Sequence, residues 1–188
     1  MLTLDSLLEI RDRAVCLHSK IEVETALEQL AAVMNQKLAD SNPVFLCIPL
    51  GGMIPLSTLL LKLKFPLEID YLRLSSYDLE SNQSEGKIAL KTHPLISLTG
   101  RTVVIFDDIL DSGITLQAAV DYCKNQHAKQ IYTAVFLNKH KARAANGLQQ
   151  ADFSALTVED YYVFGYGLDY SGYWRNLPGI YALIKNKS

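Results

Sequence analysis

Between Val103 and Thr115 the chain reads Val-Val-Ile-Phe-Asp-Asp-Ile-Leu-Asp-Ser-Gly-Ile-Thr, a dense gathering of groups that could do chemistry. An apolar run stops at two adjacent carboxylates, Asp107 and Asp108. Asp111-Ser112-Gly113-Ile114-Thr115 follows, and then apolar residues at helical spacing: Leu116, Ala119, Val120 and Cys123. The pattern predicts a buried strand, a tight turn and a helix with an open N-terminus. Free amides and the positive end of the helix dipole make such a turn an anion site. Ser112 and Thr115 add hydroxyl donors. Carboxylates at the end of a parallel strand stand at the usual ligand edge of an α/β sheet. Amides for a phosphate beside carboxylates for hydroxyls suit a sugar phosphate. Taken singly, each part has a plainer use, and Asp111 could serve only as a helix N-cap. The Gly-x-x-x-x-Gly-Lys-Ser/Thr pattern of a nucleotide P-loop is absent.

The flanking sequence supplies elements to position these groups. Ser19-Lys-Ile-Glu22 fits a capping box, and Val23, Ala26, Leu27, Leu30, Ala31, Met34 and Leu38 continue at helical spacing. Val44–Ile48 reads as a buried strand that Gly51-Gly52 ends, and Ile54–Leu63 as the next helix. Leu67–Leu74 reads as a second strand, Lys87–Lys91 as a third, and Leu98–Arg101 as a turn into the acidic strand. Ile131–Leu137, the residues around Phe153 and Leu156, and Tyr161–Phe164 complete the strands. This alternation predicts one α/β domain, a Rossmann-like parallel sheet with helices on both faces. The polar stretch Ser75–Gly86 is long for a connection inside such a domain and is expected to form a flexible lid. The aromatic C-terminal part, about 150–188, is expected to fold over the ligand edge as a small hood, with an N-terminal contribution.

Composition narrows the function classes. Lys and Arg number 18 against 20 Asp and Glu, a net charge of −2, which disfavours a protein that binds nucleic acid through a basic surface. No apolar run approaches a membrane span, and Met1–Arg13 carries acids where a signal peptide needs an apolar core. Cys16, Cys47 and Cys123 are odd in number and widely spaced, as expected of reduced thiols in a cytoplasmic protein. Cys47 and Cys123 fall in apolar patterns that suggest core packing. His18, His93, His127 and His140 show no metal-ligand spacing.

The whole string Val103–Thr115 resembles the phosphoribosyl-diphosphate (PRPP) signature of type I phosphoribosyltransferases. Leu50-Gly51-Gly52-Met53, after a buried strand and before a helix, resembles the pyrophosphate loop of the hypoxanthine-guanine members. The resemblance implies a non-proline cis peptide there, between Leu50 and Gly51. Ser76-Tyr77 resembles the Ser-Tyr of the family's catalytic lid. Tyr162-Val-Phe-Gly165-Tyr-Gly-Leu-Asp169-Tyr170 and Tyr173-Trp-Arg175-Asn-Leu-Pro178 resemble its purine-binding hood. Ala134-Val-Phe-Leu-Asn-Lys139 matches the spacing of the family's base-recognition lysine. Arg73 resembles a family arginine that is structural or acts on pyrophosphate indirectly. The likeness runs from about Val44 to Tyr181. Ser112 and Ile114 stand where many members carry Thr and Lys, Asp107 where some carry Glu, and Leu50 where some carry a basic residue.

From the resemblance follows a set of expected roles. The enzyme would transfer 5-phosphoribosyl from PRPP to N9 of hypoxanthine or guanine, giving IMP or GMP in purine salvage. Ser112, Gly113, Ile114 and Thr115 would hold the 5′-phosphate, and Asp107 and Asp108 the ribose hydroxyls. Leu50, Gly51 and Arg175 would face pyrophosphate, and Asp169 would hold Mg²⁺. Asp111 would act on purine N7, Tyr162 would stack on the base, and Val163 would meet its Watson–Crick edge through backbone groups. Lys139, with donors only, would welcome a 6-oxo group and reject a 6-amino group. The family commonly forms homodimers or homotetramers. A xanthine-preferring enzyme and a non-catalytic, nucleotide-sensing RNA-binding regulator are the alternatives. DNA binding is disfavoured because no helix-turn-helix segment is appended.

Overall fold

The structure is a computed structural model that describes residues 2–76 and 88–184. Thr3 opens the first helix, α1 (Leu4–Arg13), by accepting the Ser6 N–H on its hydroxyl. A short strand, β1 (Val15–His18), leads into α2 (Lys20–Leu38). Both halves of the capping box form: the Ser19 hydroxyl accepts the Glu22 N–H, and the Glu22 carboxylate accepts the Ser19 N–H at 2.7 Å. The buried residues of α2 are the seven of the expected stripe, Val23 to Leu38. There follow β2 (Val44–Cys47), α3 (Met53–Leu60), β3 (Glu68–Tyr71), β4 (Arg73–Ser76), β5 (Ile88–Thr92), β6 (Thr102–Leu110), α4 (Ile114–Asn125), β7 (Gln130–Lys139), β8 (Phe153–Val158), β9 (Val163–Phe164) and β10 (Ile180–Ala182).

Five strands pair in parallel in the order β3-β2-β6-β7-β8. Their central members are apolar on both faces, as a sheet covered on both sides requires. Phe45, Cys47, Val104, Phe106 and Phe136 pack with Leu27, Leu30, Met34 and Leu59 of α2 and α3. The alternate residues Val44, Leu46, Val103, Ile105 and Val135 pack with Leu116, Ala119 and Cys123 of α4. Each such Val, Leu, Ile, Phe or Met side chain contributes roughly 1.5–3 kcal/mol of burial. From β2 the chain passes through α3 outward to β3, and from β6 through α4 the opposite way to β7. The carboxyl ends of β2 and β6 therefore flank a topological switch point, where open α/β sheets form their ligand crevice.

Leu67–Leu74, expected as one strand, is two strands in different sheets. Leu72 donates to the Cys47 carbonyl (3.0 Å), and the chain then leaves the parallel sheet so that β4 pairs antiparallel with β5. Asp70 secures the departure, its carboxylate accepting the amides of Tyr71, Leu95 and Ile96. Tyr77 and the rest of the expected lid, residues 77–87, lie outside the described residues. So does the side chain of Ser76, whose backbone pairs with Ile88. A third sheet, antiparallel in the order β1-β10-β9, joins the two ends of the chain. Among the described residues no helix is long and apolar enough to cross a membrane.

Candidate active site

The turn after β6 is braced from behind. Arg143 donates from Nη1 to the Asp111 carbonyl (2.8 Å), Ala144 N–H to the Ser112 carbonyl (3.0 Å), and Leu148 N–H to the Gly113 carbonyl (3.0 Å). Across a trans peptide the N–H points opposite to the C=O. With three successive carbonyls turned to the 143–148 segment, the amides of Ser112, Gly113 and Ile114 turn the other way. The Ile114 N–H also meets the Ser112 hydroxyl at 3.4 Å. On that side lies a cavity of about 340 Å³, lined by Asp107, Asp108, Ser112, Gly113 and Thr115 and, from the end of β2, by Ile48 to Gly51. Gly113 takes φ +81°, and a Cβ on it would stand 2.3 Å from the Leu148 carbonyl oxygen. Glycine is needed there both for the left-handed backbone and for room.

Two carboxyls stand over the floor of this cavity. Asp107 is buried and accepts the Asp108 N–H on Oδ1 (2.9 Å). Burial pushes its carboxyl well above the ordinary range, and the Asp108 charge adds to the rise. Burial raises Asp108 too, opposed by its hydrogen bond with Asp107 and by the Arg175 guanidinium. The loop after β2 touches Asp108 directly: a Cβ on Gly51 would fall 1.6 Å from Asp108 Oδ2. The cis peptide of this loop joins Pro49 and Leu50, one bond earlier than Leu50–Gly51. The sheet ladder ends at Ile48, whose amide donates to the Phe106 carbonyl (2.9 Å), so the backbone reverses immediately after it. Below the loop, burial pushes the Cys47 thiol up to about 12, with the charges of Asp107 and Asp108 adding to it.

A second, smaller cavity of about 170 Å³ adjoins the first and is lined by Asp108, Ile109, Asp111, Lys139, Tyr162, Val163, Leu168 and Asp169. Lys139 ends β7, nearly buried, and donates from Nζ to Asp111 Oδ2 (2.9 Å) and Asp160 Oδ1 (3.2 Å). Partial burial works against ionisation of Asp111, but hydrogen bonds from Lys139 and Lys141 outweigh it and hold the carboxyl below its ordinary value. Tyr162 is largely exposed and meets Tyr170 edge-on, with ring centroids 5.5 Å apart. Val163 is buried in β9 opposite Ala182.

Asp169 and Arg175 both line the larger cavity and pair with each other, Oδ1 to Nη2 at 2.7 Å. Arg175 also donates to the Gly167 carbonyl (2.7 Å), and Asp169 accepts the Gly172 N–H (2.7 Å). Arg73 stands apart, in a neighbouring cavity with Cys47, Leu50, Met53 and Tyr71. Among the described residues no group of three His, Cys, Asp or Glu side chains converges on a metal position. Asp169, at the rim of the larger cavity, is a carboxylate that could serve a Mg²⁺ completed by phosphate and hydroxyl oxygens, the ligand type that ion takes.

Lys141, Arg143 and Asp160 belong to this site and are absent from the sequence reading. Lys141 contacts Asp111 Oδ1 (3.0 Å) and Asp160 Oδ1 (3.3 Å). Arg143 also donates to the Lys139 carbonyl (2.6 Å) and to Asn138 Oδ1, joining the end of β7 to the turn after β6. The signal for Lys141 and Arg143 is the basic run Lys139-His-Lys-Ala-Arg143 directly after an apolar strand, while Asp160 carries no comparable local signal.

A family profile, the phosphoribosyl transferase domain, matches residues 17–171. The hypoxanthine-guanine phosphoribosyltransferase of Bacillus subtilis (strain 168) is 33% identical, over 88% of this chain and 90% of that one. The hypoxanthine-guanine-xanthine phosphoribosyltransferase of Tritrichomonas foetus is 28% identical over 87% of this chain and 88% of its own. A crystal structure of a hypoxanthine phosphoribosyltransferase from Staphylococcus aureus, 24% identical, shares the fold with a TM-score of 0.85 over 97% of each chain. With the acidic strand, the braced turn and the crevice at the switch point found together in one sheet, and relatives matched over most of its length, this chain belongs to the phosphoribosyltransferase family, on its hypoxanthine-guanine branch.

Proposed function

We propose that the protein transfers 5-phosphoribosyl from PRPP to N9 of hypoxanthine and guanine, releasing pyrophosphate. One observation carries the reading: the turn amides open onto a cavity that adjoins the smaller one where Asp111 and Lys139 meet. The amides and hydroxyls of Ser112–Thr115 take the 5′-phosphate, aided by the α4 dipole. Asp107 and Asp108 accept from the ribose hydroxyls. Lys139 donates to the 6-oxo group of the base, Tyr162 covers its face, and Val163 offers backbone groups to its edge. Asp111, held ionised by its lysines, accepts from purine N7. Electron density then moves to N9 as the bond from C1′ to the pyrophosphate oxygen breaks and the C1′–N9 bond forms. The reacting sugar must be shielded from water, and Ser76 and Tyr77 are assigned to the lid that does so. Leu50, Gly51 and Arg175 face the leaving pyrophosphate. Asp169, with ligand oxygens, suits Mg²⁺, which when bound supplies positive charge against the leaving group.

Incubation of the protein with PRPP, Mg²⁺ and hypoxanthine, guanine, xanthine or adenine, each in turn, tests this. Nucleotide and pyrophosphate form from 6-oxopurines and not from adenine; adenine turnover, or turnover of none, overturns the reading. Asp111→Asn lowers kcat by roughly 10²–10⁴-fold and leaves KM for PRPP nearly unchanged. Preference for xanthine over hypoxanthine and guanine would move the enzyme toward the range named for the Tritrichomonas relative.

A further inference from the structure

Four charged side chains close a ring beside the smaller cavity. Lys139 Nζ touches Asp111 Oδ2 (2.9 Å) and Asp160 Oδ1 (3.2 Å). Lys141 Nζ touches Asp111 Oδ1 (3.0 Å) and the same Asp160 oxygen (3.3 Å). Neither Lys141 nor Asp160 has a part in the reaction described above. An ammonium has three donors. The ring takes two from Lys139 and leaves one for an acceptor in the cavity.

Lys139 is the inner cation, its side chain 10% exposed, and Lys141 the outer, at 33%. If Lys139 alone neutralised both acids, turning it toward a base would leave two carboxylates, gathered on one ammonium and so close to each other, repelling with too little cation between them. Lys141 removes that penalty, because each acid keeps a cation whatever Lys139 does. It also occupies Asp111 Oδ1, fixing the plane of the carboxylate.

We propose that Lys141 is a positioning residue that sets base recognition: it holds Asp111 and Asp160 so that Lys139 can spare a donor for the 6-oxo group. The inference rests on the function proposed above. Among the described residues the charged groups around Asp111 are Asp107 and Asp108 from β6, Lys139 from β7, Lys141 and Arg143 from the segment after β7, Asp160 from the segment before β9, and Asp169 and Arg175 across the cavity. His140 and Glu159, beside the ring in sequence, pair with each other (3.4 Å). Lys139 and Lys141 are the cations that touch the Asp111 carboxylate. Removing one disfavours its charged form, so its titration moves to higher pH.

Lys141→Met and Lys141→Arg test the proposal. In Lys141→Met, KM for the 6-oxopurine rises about tenfold. KM for PRPP stays near that of the unmodified protein, and the acid limb of kcat/KM for the base moves to higher pH. Lys141→Arg, which keeps the charge, restores both. Carbon-13 NMR of the Asp111 carboxyl, read without substrate, shows the same upward move in Lys141→Met. An Asp111 titration unmoved in Lys141→Met overturns the proposal, as does a common rise in both KM values or a Lys141→Arg enzyme that behaves like Lys141→Met. Should the unmodified protein convert no 6-oxopurine, the functional reading falls, while the NMR comparison still decides whether Lys141 governs Asp111.

Discussion

The turn after β6 and the small sheet β1-β10-β9 border the same crevice, yet they are held over very different spans of chain. Arg143 reaches the Asp111 carbonyl across 32 residues, and the other bonds that brace the turn come from the same short segment. Trp174 Nε1 reaches the Leu7 carbonyl across 167 residues, and β10 lies between a strand from the N-terminus and one from its own neighbourhood. The turn offers main-chain amides, whose direction follows from where its carbonyls are bound. The small sheet places Val163 in β9 and Tyr162 directly before it, and their position depends on both ends of the chain meeting. Phosphate grip and base recognition should therefore fail separately.

Gly113→Ala tests that separation most severely. A Cβ at φ +81°, 2.3 Å from the Leu148 oxygen, forces the turn or its brace to move. Strain of this kind is worth about 1–3 kcal/mol. A shift of about 1 Å at a reacting site can lower rates by about 10²-fold. Steady-state kinetics should show kcat/KM for PRPP falling by about that factor while discrimination against adenine survives. Lost discrimination at an unchanged KM for PRPP would show that the two regions are not separable.

Asp107→Asn sharpens the picture inside the turn, with a smaller effect. Burial raises the Asp107 carboxyl, and Asp108 raises it further. Below the unfolded value, near 3.9, the group is protonated in both states and costs nothing. Above it the unfolded chain ionises while the folded one resists, so stability falls as pH rises toward the folded value. Asn keeps the acceptor for the Asp108 N–H (2.9 Å) without the charge. Thermal melts at pH 7–8 should show a gain of about 1 kcal/mol, or 2–4 °C, that vanishes near pH 3. Turnover should fall in the same variant. A melt that gains equally at both pH values would mean that Asp107 is not carrying the strain of burial.

What could be read from the sequence follows the same division. The acidic strand, the turn, the capping box at Ser19 and both faces of the parallel sheet were written in local periodicity, because each is decided by neighbours along the chain. Leu67–Leu74 misled for a nonlocal reason: its break at Leu72 depends on Asp70 gathering amides from Leu95 and Ile96. Residues 2–18 give little periodic signal, since α1 buries only Leu7 and β1 exists by pairing with β10. Lys141 and Asp160 become meaningful only when β7 and the segment before β9 lie side by side. The cis peptide at Pro49–Leu50 lies one bond from the place the resemblance implies, and no periodicity of side chains reports on a peptide bond's isomer.

Trp174→Phe probes the long-range side most gently. The indole N–H donates to the Leu7 carbonyl at 3.1 Å, and the Arg11 guanidinium lies 5.8 Å from the ring centroid. Phenylalanine keeps an aromatic face for Arg11 and removes only the donor. A hydrogen bond of this kind contributes about 0.5–1.5 kcal/mol net. The melting temperature should drop by about 2–4 °C. Amide exchange should quicken in α1, which has a single buried residue to hold it otherwise. Kinetics with PRPP should be unmoved, since the bonds that brace the turn come from Arg143, Ala144 and Leu148 and none of them from Trp174. Exchange that quickens instead across α4 and the 143–148 segment would mean that the two regions are one cooperative unit, and the contrast between local grip and long-range recognition would fail.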